Sequence, residues 1–249
     1  MIKELLIDHF NVQKGMYFSE RIDGDGRTYF FSDIITDGYW NYVYIDDNAG
    51  MLDSRDAGIF SSYHRPLSVY VIENKSDLTT DGYELISEES FMTYKGGDVI
   101  PRNEITVKRV NDDKEVSDFI EVFTDAYGGE KSPEQPYGEL DSTYMNALMR
   151  SVADKEQFHH YVCYAEGKPV SVATLCIRDK VAGIYNVGTS ISDRGRGYGT
   201  DVTKACIKDW INSEGKKLFL QTETGSVVER WYKTLGFVTV FNGKIYSKE

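Results

Sequence analysis

Runs of aromatic and β-branched residues dominate the N-terminal part of the sequence. They fill residues 15–45, where Asp23, Gly24, Asp25 and Gly26 interrupt them as a tight hairpin turn would. The predicted elements after this hairpin are a short helix at residues 54–63 and strands at residues 67–72 and 83–94. The pattern therefore predicts an N-terminal region that consists mainly of sheet.

A polar stretch at residues 95–104 separates this region from the rest of the chain. It contains two glycines and Pro101, and such a composition between two patterned regions is typical of a domain boundary. We therefore predict a β-rich N-terminal domain of residues 1–100 and a second domain of residues 105–249.

Helical and strand patterns alternate in the second domain. A strand at residues 105–110 precedes a helix that Asp112 or Asp113 can cap, and a polar loop at residues 130–138 leads to a second helix around residues 145–152. The remaining predicted elements are strands at residues 158–165, 170–177 and 181–189, a helix at 198–212, a strand at 218–222, a helix that ends near residue 235 and a final pair of strands. Because short turns join the three consecutive strands, we predict that they are antiparallel within a mixed α/β fold.

The charge balance narrows the range of partners. The chain has 28 Lys and Arg against 40 Asp and Glu, which gives a formal net charge of -12. Such a chain repels phosphate backbones and anionic membrane surfaces, and it attracts cationic substrates such as amines. We therefore predict no nucleic acid partner and no membrane partner.

Cysteine and histidine positions argue against disulfides and metals. Cys163, Cys176 and Cys206 lie in apolar runs without metal-ligand spacing, which predicts a reducing compartment. The sequence shows no leader-like segment and no run of about 18 apolar residues, so the expected location is cytoplasmic. Because adjacent strand residues face opposite sides, His159 and His160 are not expected to share a metal ion, and we expect no metal.

A strand that passes through a glycine-rich loop into an amphipathic helix carries the clearest chemistry in the sequence. Gly195, Gly197 and Gly199 lack the β-carbons that would block close approach, so backbone N–H groups can point at an anion near the positive end of the helix dipole. Arg194 and Arg196 add cationic donors. These features predict a loop that binds a diphosphate.

Two other anion-binding motifs use loops of this kind. A Walker loop is excluded because no Gly-Lys-Ser or Gly-Lys-Thr stands at the helix start. A dinucleotide fingerprint is a closer rival, since Glu223 ends the next strand, but its glycine spacing differs and it normally opens a βαβ unit. A nicotinamide-binding oxidoreductase is therefore a minor alternative.

The loop resembles the signature of the GNAT superfamily of N-acetyltransferases, which is Arg or Gln, two residues, Gly, one residue, and then Gly or Ala. Arg194, Gly197 and Gly199 match that signature. Residues 231–237 are similar to the tyrosine-containing helix and Gly-Phe step that follow the fifth strand of that fold. The resemblance covers residues 105–249 and implies a central, mostly antiparallel, splayed sheet flanked by helices, beside the smaller β-rich domain.

The resemblance implies a binding site for acetyl-CoA as co-substrate. Backbone groups of Val187 and Thr189 would hold the pantetheine arm and polarise the thioester. The residues implied to cradle the pyrophosphate are Arg194, Gly195, Arg196, Gly197, Tyr198, Gly199 and Thr200. Many members also contact the coenzyme through an asparagine after the fifth strand, and Ser226 stands in that neighbourhood here.

The resemblance also implies catalytic groups. Tyr232 falls at the position of the general acid, where a phenol can protonate the departing sulfur. An ammonium substrate with a pKa of about 8 to 10 must first lose a proton, and Glu223 is the predicted general base. Alternative sources of the base are Glu121, Asp125 and a water chain from Tyr185.

The N-terminal region has a weaker resemblance of its own. Residues 82–86 resemble the Gly-Phe step and final strands of the second domain, but no glycine-rich anion loop precedes them. We predict a shortened, degenerate copy of the same fold, with an unrelated β-rich domain as the alternative.

These expectations combine into one predicted activity. The protein is expected to transfer an acetyl group from acetyl-CoA to a small-molecule or peptide primary amine, which attacks the thioester directly, and to act as a monomer or homodimer. The alternative from another class is a noncatalytic coenzyme A sensor or interaction protein.

Overall fold

The computed structural model describes residues 2–46, 50–72, 77–128 and 140–248. The helices of these residues are α1 (Ile2–Gln13), α2 (Ser54–Ser62), α3 (Asp113–Tyr127), α4 (Ser142–Val152), α5 (Tyr198–Asn212) and α6 (Val227–Thr234). The strands are β1 (Glu20–Gly24), β2 (Arg27–Phe31), β3 (Tyr42–Ile45), β4 (Leu67–Ile72), β5 (Glu84–Tyr94), β6 (Thr106–Arg109), β7 (Phe158–Ala165), β8 (Lys168–Arg178), β9 (Val181–Thr189), β10 (Lys217–Glu223) and β11 (Phe237–Lys248). The loop predicted at residues 130–138 lies outside the described residues.

The chain forms two compact units. The first unit consists of Met1–Met92, Gln221–Trp231 and Thr239–Glu249, and the second of Thr93–Leu220 and Tyr232–Val238. Two C-terminal segments thus belong to the first unit, in contrast to the ranges 1–100 and 105–249 of the predicted domains. The domain boundary itself stays a prediction.

The first unit contains an antiparallel meander of β1, β2 and β3. Helix α2 then leads to β4, which runs parallel to β3 with Val43 opposite Val69. Strand β11 pairs antiparallel with β4 along the other edge, from Gly243 opposite Ile72 to Lys248 opposite Leu67. The buried core beside these strands consists of Tyr29, Phe31, Val43, Phe60, Val69, Leu78 and Tyr246.

Helix α1 is an element that the sequence predictions lack. Leu5, Leu6 and Phe10 have the spacing of one helical face, and all three are buried. The apolar residues of positions 2–13 recur with a helical period, so the sequence itself contains the signal for this helix.

The second unit contains an antiparallel sheet of β6, β7, β8 and β9. Strand β10 runs parallel to β9, and their pairing joins Val181–Gly183 to Lys217–Phe219. His159 bonds to Asp209 of α5, whereas His160 bonds to Ser151 of α4. Because adjacent strand residues face opposite sides, α5 lies on one face of the sheet and α4 on the other.

The two units repeat one strand order. In the first unit a meander (β1, β2, β3) is followed by a helix (α2) and a strand parallel to the last meander strand (β4). In the second unit the same order holds for β7, β8, β9, α5 and β10. The repetition agrees with the predicted degenerate copy and not with an unrelated N-terminal domain.

The predicted final pair of strands is wrong, because β11 is one strand of 12 residues. Gly243 lies within it opposite Ile72 of β4. A β-carbon at Gly243 would lie 2.2 Å from the hydroxyl oxygen of Tyr70, so the glycine makes room for a tyrosine instead of forming a turn.

Two further findings concern the described residues. None of their helices is both long enough and apolar enough to cross a membrane. The side chains of Cys163, Cys176 and Cys206 are buried and unpaired by disulfides, and burial raises the pKa of the Cys163 thiol to about 12.

Candidate functional site

The start of α5 is the feature of the second unit that best suits an anion. Gly197 is its N-cap residue, with a left-handed φ of 84°. Among the described residues, no side chain caps the helix at this position. The first turn of a 15-residue helix therefore directs backbone N–H groups outward at the positive end of its dipole.

Two arginines of the loop occupy different surroundings. The guanidinium of Arg194 donates to the carbonyl oxygens of Thr189 (3.2 Å) and Ala126 (3.0 Å), so it ties the end of β9 to the end of α3. The side chain of Arg196 is 61% exposed and lies 3.4 Å from Asp193. Arg196 can therefore turn towards a ligand, whereas Arg194 has a bracing position; a diphosphate contact by either stays a prediction.

Arg102 is a residue of this region that the sequence predictions lack. Its guanidinium donates to the buried carboxylate of Asp201 from Nε (3.0 Å) and Nη2 (2.7 Å), and Nη2 also donates to the carbonyl of Arg196 (3.0 Å). The Asp201 hydrogen bonds raise the pKa of Arg102. Because 99 positions separate Arg102 from Asp201, no local sequence pattern could have indicated this clamp.

The end of β9 carries a β-bulge. Thr174 pairs with Tyr185 but Val172 pairs with Gly188, so two residues of β9 lie opposite one of β8. Asn186, inside the bulge, has a left-handed φ of 54°. Bulges reorient the backbone groups beside them, and this one precedes Val187 and Thr189, the segment predicted to hold the pantetheine arm.

Side chains brace the segment after the bulge. The hydroxyl of Tyr127 donates to the carbonyl of Val187 (2.7 Å). The hydroxyl of Ser171 donates to the carbonyl of Gly188 (2.7 Å) and lies 2.9 Å from that of Thr189. These contacts fix the backbone of the strand end from two sides.

A buried hydrogen-bond chain lies behind the bulge. The amide Nδ2 of Asn186 donates to Thr174 Oγ1 (3.1 Å), which lies 2.9 Å from Nδ1 of His160. Nε2 of His160 lies 3.0 Å from Oγ of Ser151, and Ser151 donates its proton to the carbonyl of Leu148 (2.6 Å). Because Ser151 has one proton, it must accept from His160, which places a ring proton on Nε2.

The lowered pKa of His160 leaves Nδ1 without a proton at neutral pH, so the ring is neutral. Burial is the largest cause, and it lowers the pKa to about 4. The chain therefore runs in one direction, from the amide of Asn186 to the carbonyl of Leu148. It ties the left-handed residue of the bulge to helix α4.

Tyr232 lies in the second unit near the C-terminal end of α6. Its side chain is only 6% exposed, and its ring meets that of Phe237 edge to face at 5.8 Å. The tyrosine-containing helix and the Gly-Phe step of the predicted motif are thus in contact. The general-acid role of Tyr232 stays a prediction.

Glu223 and Ser226 belong to the first unit. Glu223 is exposed at the end of β10. The hydroxyl oxygen of Ser226 accepts from the N–H of Glu229 (3.0 Å), while Glu229 accepts from the N–H of Gly225 (2.8 Å). Ser226 therefore caps α6, as its Ser-x-x-Glu sequence indicates, and the predicted roles of both residues stay predictions.

The alternative bases have defined positions as well. Asp125 accepts from the N–H of Ile191 (3.0 Å) and so braces the loop after β9. Glu121 is exposed on α3. The ring of Tyr185 covers Gly183, where a β-carbon would lie 2.5 Å from it.

No group of three or more His, Cys, Asp or Glu side chains among the described residues could hold a metal ion. The prediction that His159 and His160 face opposite sides is confirmed by their bonds to Asp209 and Ser151.

The start of α2, in the matching place of the first unit, differs chemically from that of α5. Asp53 accepts from the N–H groups of Arg55 (2.8 Å) and Asp56 (3.3 Å), and Asp56 accepts in return from that of Asp53 (2.8 Å). The buried Asp56 also pairs with Arg27 at 2.9 Å. The protein's own carboxylates thus occupy the start of α2, in agreement with the absence of a glycine-rich anion loop from this part of the sequence.

Comparison with known proteins identifies a family match and a fold. Residues 118–237 match the acetyltransferase (GNAT) family. No curated protein matches the sequence significantly.

Solved structures resemble the chain over almost its whole length. A GCN5-related N-acetyltransferase from Kribbella flavida has 17% identity and a TM-score of 0.66, with 98% of this chain and 94% of that one covered. A second, from Sphaerobacter thermophilus, has 14% identity, a TM-score of 0.62 and coverage of 100% and 85%. A tandem GNAT protein from the clavulanic acid biosynthesis pathway has 11% identity, a TM-score of 0.56 and coverage of 90% and 78%. The predicted mixed α/β fold is therefore confirmed.

Proposed function

Residues 118–237 form an acetyltransferase domain of the GNAT family, and from that premise we propose that this protein transfers an acetyl group from acetyl-CoA to a primary amine. The observation that carries the proposal is the start of α5, where a glycine replaces the side-chain cap. A diphosphate supplies the acceptor oxygens that this helix terminus lacks.

The surroundings of α5 support the same ligand. Arg102 and Arg196 bring positive charge to the helix start, and Arg102 is held in place by Asp201. The residues beside the helix thus fit an anion, whereas the start of α2 is already filled by Asp53 and Asp56. We expect the donor to bind to the second unit.

The thioester would lie along the end of β9. The bulge at Asn186 and the braces from Tyr127 and Arg194 hold the backbone of Val187 and Thr189 before any ligand arrives. A rigid row of backbone donors costs little reorganisation when charge develops on the carbonyl oxygen of the donor. Holding the pantetheine arm is the role that we propose for this segment.

The proposed chemistry is a direct transfer. The amine nitrogen attacks the thioester carbon, so a C–N bond forms while the C–S bond breaks. A base, for which Glu223 is our candidate, takes the proton that the amine loses. Tyr232 gives its phenolic proton to the departing sulfur and is restored by solvent.

The acceptor that we propose is a small-molecule or peptide amine. The net charge of -12 favours a cationic substrate over an anionic one. We further propose a cytoplasmic monomer or homodimer.

Two measurements test the proposal on the full chain. Titration with coenzyme A should show saturable binding, and NAD should fail to protect the protein from thermal unfolding. A thiol-release assay with acetyl-CoA across a panel of amines should then give product. Binding without product for any amine would favour a noncatalytic coenzyme A sensor, and absence of binding would reject both functions.

A further inference from the structure

The first unit contains a buried carboxylate without a cationic partner. Glu89 of β5 is 5% exposed, and its Oε1 accepts from the hydroxyl of Tyr39. No lysine, arginine or histidine among the described residues pairs with it. Burial raises the pKa of Glu89 to about 7, although the hydrogen bonds from Tyr39 and Ser87 act in the opposite direction.

Two tyrosines near Glu89 have unsatisfied hydroxyl groups. Tyr42 and Tyr70 are each 2% exposed, and within the described residues neither hydroxyl has a hydrogen-bond partner. Their ring centroids are 5.4 Å apart. Ser90 of β5 bonds to Asn242 of β11 (3.0 Å) and Phe91 stacks on Phe241 (5.0 Å between ring centroids), so Glu89 lies opposite Gly243, the residue over which the Tyr70 hydroxyl lies. The charge of Glu89 also contributes to raising the pKa of both phenols.

Such groups are rare in a folded protein. A buried polar group without a partner costs about 1–3 kcal/mol, and a buried carboxylate without a counterion costs more. Three of them in one place indicate a partner that is absent from the polypeptide itself.

The walls around these groups are aromatic. Tyr42 contacts Phe18 and Tyr70, and Tyr39 meets Trp40 edge to face at 4.9 Å. Gly243 leaves the space that the hydroxyl end of Tyr70 fills. Aromatic faces attract cations, especially in a desolvated position.

We infer that Glu89, Tyr42 and Tyr70 form a binding site for a primary ammonium group. Such a group has three N–H donors, and the cluster offers a carboxylate and two phenol oxygens as acceptors. Its positive charge also neutralises the buried carboxylate. Tyr39, which is half-buried and bonded to Glu89, is the side chain that an entering ammonium group displaces.

A neutral water molecule does not meet the same requirements. It can satisfy the two phenols, but it leaves the charge of Glu89 without compensation. A quaternary ammonium ion has the charge but no N–H donor for the phenols. Charge and donor number together therefore select a primary ammonium ion.

The test compares three probes with the full chain in the absence of acetyl-CoA. n-Butylammonium chloride should bind saturably at pH 8 in a calorimetric titration. Tetramethylammonium chloride, with equal charge and no N–H donor, and 1-butanol, with no charge, should each bind at least about tenfold more weakly. Equal affinities for the two cations, or no saturable binding of n-butylammonium, would overturn the inference.

Substitutions locate the site. Glu89→Gln should weaken n-butylammonium binding at least about tenfold, and Tyr42→Phe or Tyr70→Phe about three- to tenfold. The control is Glu88→Gln, because Glu88 is the adjacent residue of β5 and lies 3.7 Å from Lys244 at the surface. Wild-type affinity in Glu89→Gln would overturn the inference, and the probe comparison on the unmodified chain decides if that variant does not fold.

This site does not depend on the proposed transfer reaction. Thiol release measures chemistry, whereas loss of ammonium binding in Glu89→Gln, with binding kept in Glu88→Gln, assigns the titrated site to the first unit and not to the proposed acceptor site. Loss of one result therefore leaves the other intact.

Discussion

At the scale of single residues, Gly197 controls whether the start of α5 is open. The atom nearest to a β-carbon added there is Nη2 of Arg102, at 3.5 Å, so a side chain fits in space. We expect Gly197→Asp to place a carboxylate where the diphosphate binds. Affinity for acetyl-CoA, measured by calorimetry, should fall at least about tenfold, or about 1.4 kcal/mol.

A matched control separates this charge effect from backbone strain. Gly167, in the turn between β7 and β8, has a similar φ of 82° and no atom within 4 Å of an added β-carbon. Gly167→Asp should cost about 1 kcal/mol of stability and keep the donor affinity. Equal losses of affinity in the two variants would contradict the assigned role of the α5 terminus.

A substitution at Tyr232 tests the proposed protonation of the leaving sulfur. The change Tyr232→Phe removes one hydroxyl and keeps the ring that contacts Phe237. We expect kcat to fall about 10- to 100-fold with little change in acetyl-CoA affinity, because the phenol acts on the leaving sulfur. Turnover equal to that of the wild type, in a thiol-release assay, would remove the acid role.

The lowered pKa of His160 predicts that the stability of the protein depends on pH. Burial lowers its pKa from 6.5 to about 4, so the unfolded chain binds more protons between these values. The contribution of the neutral His160 ring to the free energy of unfolding is therefore fully present above pH 6.5 and is lost as the pH falls towards 4. The difference between the two pKa values corresponds to about 3 kcal/mol.

The change His160→Phe tests this contribution. It removes one hydrogen-bond partner from each of the buried hydroxyls of Ser151 and Thr174, so stability at pH 7 should fall by about 1–3 kcal/mol. The deficit should shrink as the pH approaches 4.5, in urea unfolding at several pH values. A deficit that is constant with pH would contradict the buried neutral ring.

At the scale of elements, the start of helix α2 in the first unit is capped by the carboxylates of Asp53 and Asp56. Asp53 is more than half exposed, whereas Asp56 is fully buried against Arg27. Asparagine caps helices about as well as aspartate, so Asp53→Asn should change the free energy of unfolding by less than about 0.5 kcal/mol.

The matched change Asp56→Asn should cost about 3 kcal/mol, because it leaves the charge of Arg27 buried without its closest carboxylate. Urea unfolding of the two variants measures both values. Similar losses for the two variants would mean that the buried ion pair contributes little.

Elements with strong local patterns could be predicted from the sequence. The bounds of β4, β7, β9 and α5 agree with prediction, because apolar runs between turns define the strands and a glycine-rich loop precedes the helix. The extent of β11 could not be predicted, because its Gly243 is required by packing against Tyr70 of β4 and not by a turn. Helix α1 had a recognisable pattern.

The candidate site was predictable only where its residues are contiguous. The glycine loop of α5 is one short segment, so its chemistry could be identified directly. Arg102 with Asp201, and Asn186 with Thr174 and His160, are brought together by strand pairing and helix packing. Nothing local in the sequence indicates such long-range pairs.

At the scale of the whole molecule, the repeated strand order raises the question of how many acetyl-CoA molecules one chain binds. Of the two matching helices, α5 starts with an uncapped glycine, whereas the start of α2 is filled by Asp53 and Asp56. We expect a calorimetric titration with acetyl-CoA to end at one equivalent per chain. Two equivalents would show that the first unit also holds a nucleotide.

Strand β11 completes the first unit from a distant part of the chain. The hydroxyls of Ser68 and Ser247 lie 2.9 Å apart, although 179 positions separate them. On the ribosome, β4 is therefore made long before the strand that covers its free edge, and the nascent chain carries an open β-edge through most of its synthesis. Dependence on chaperones should be greatest shortly before β11 leaves the exit tunnel.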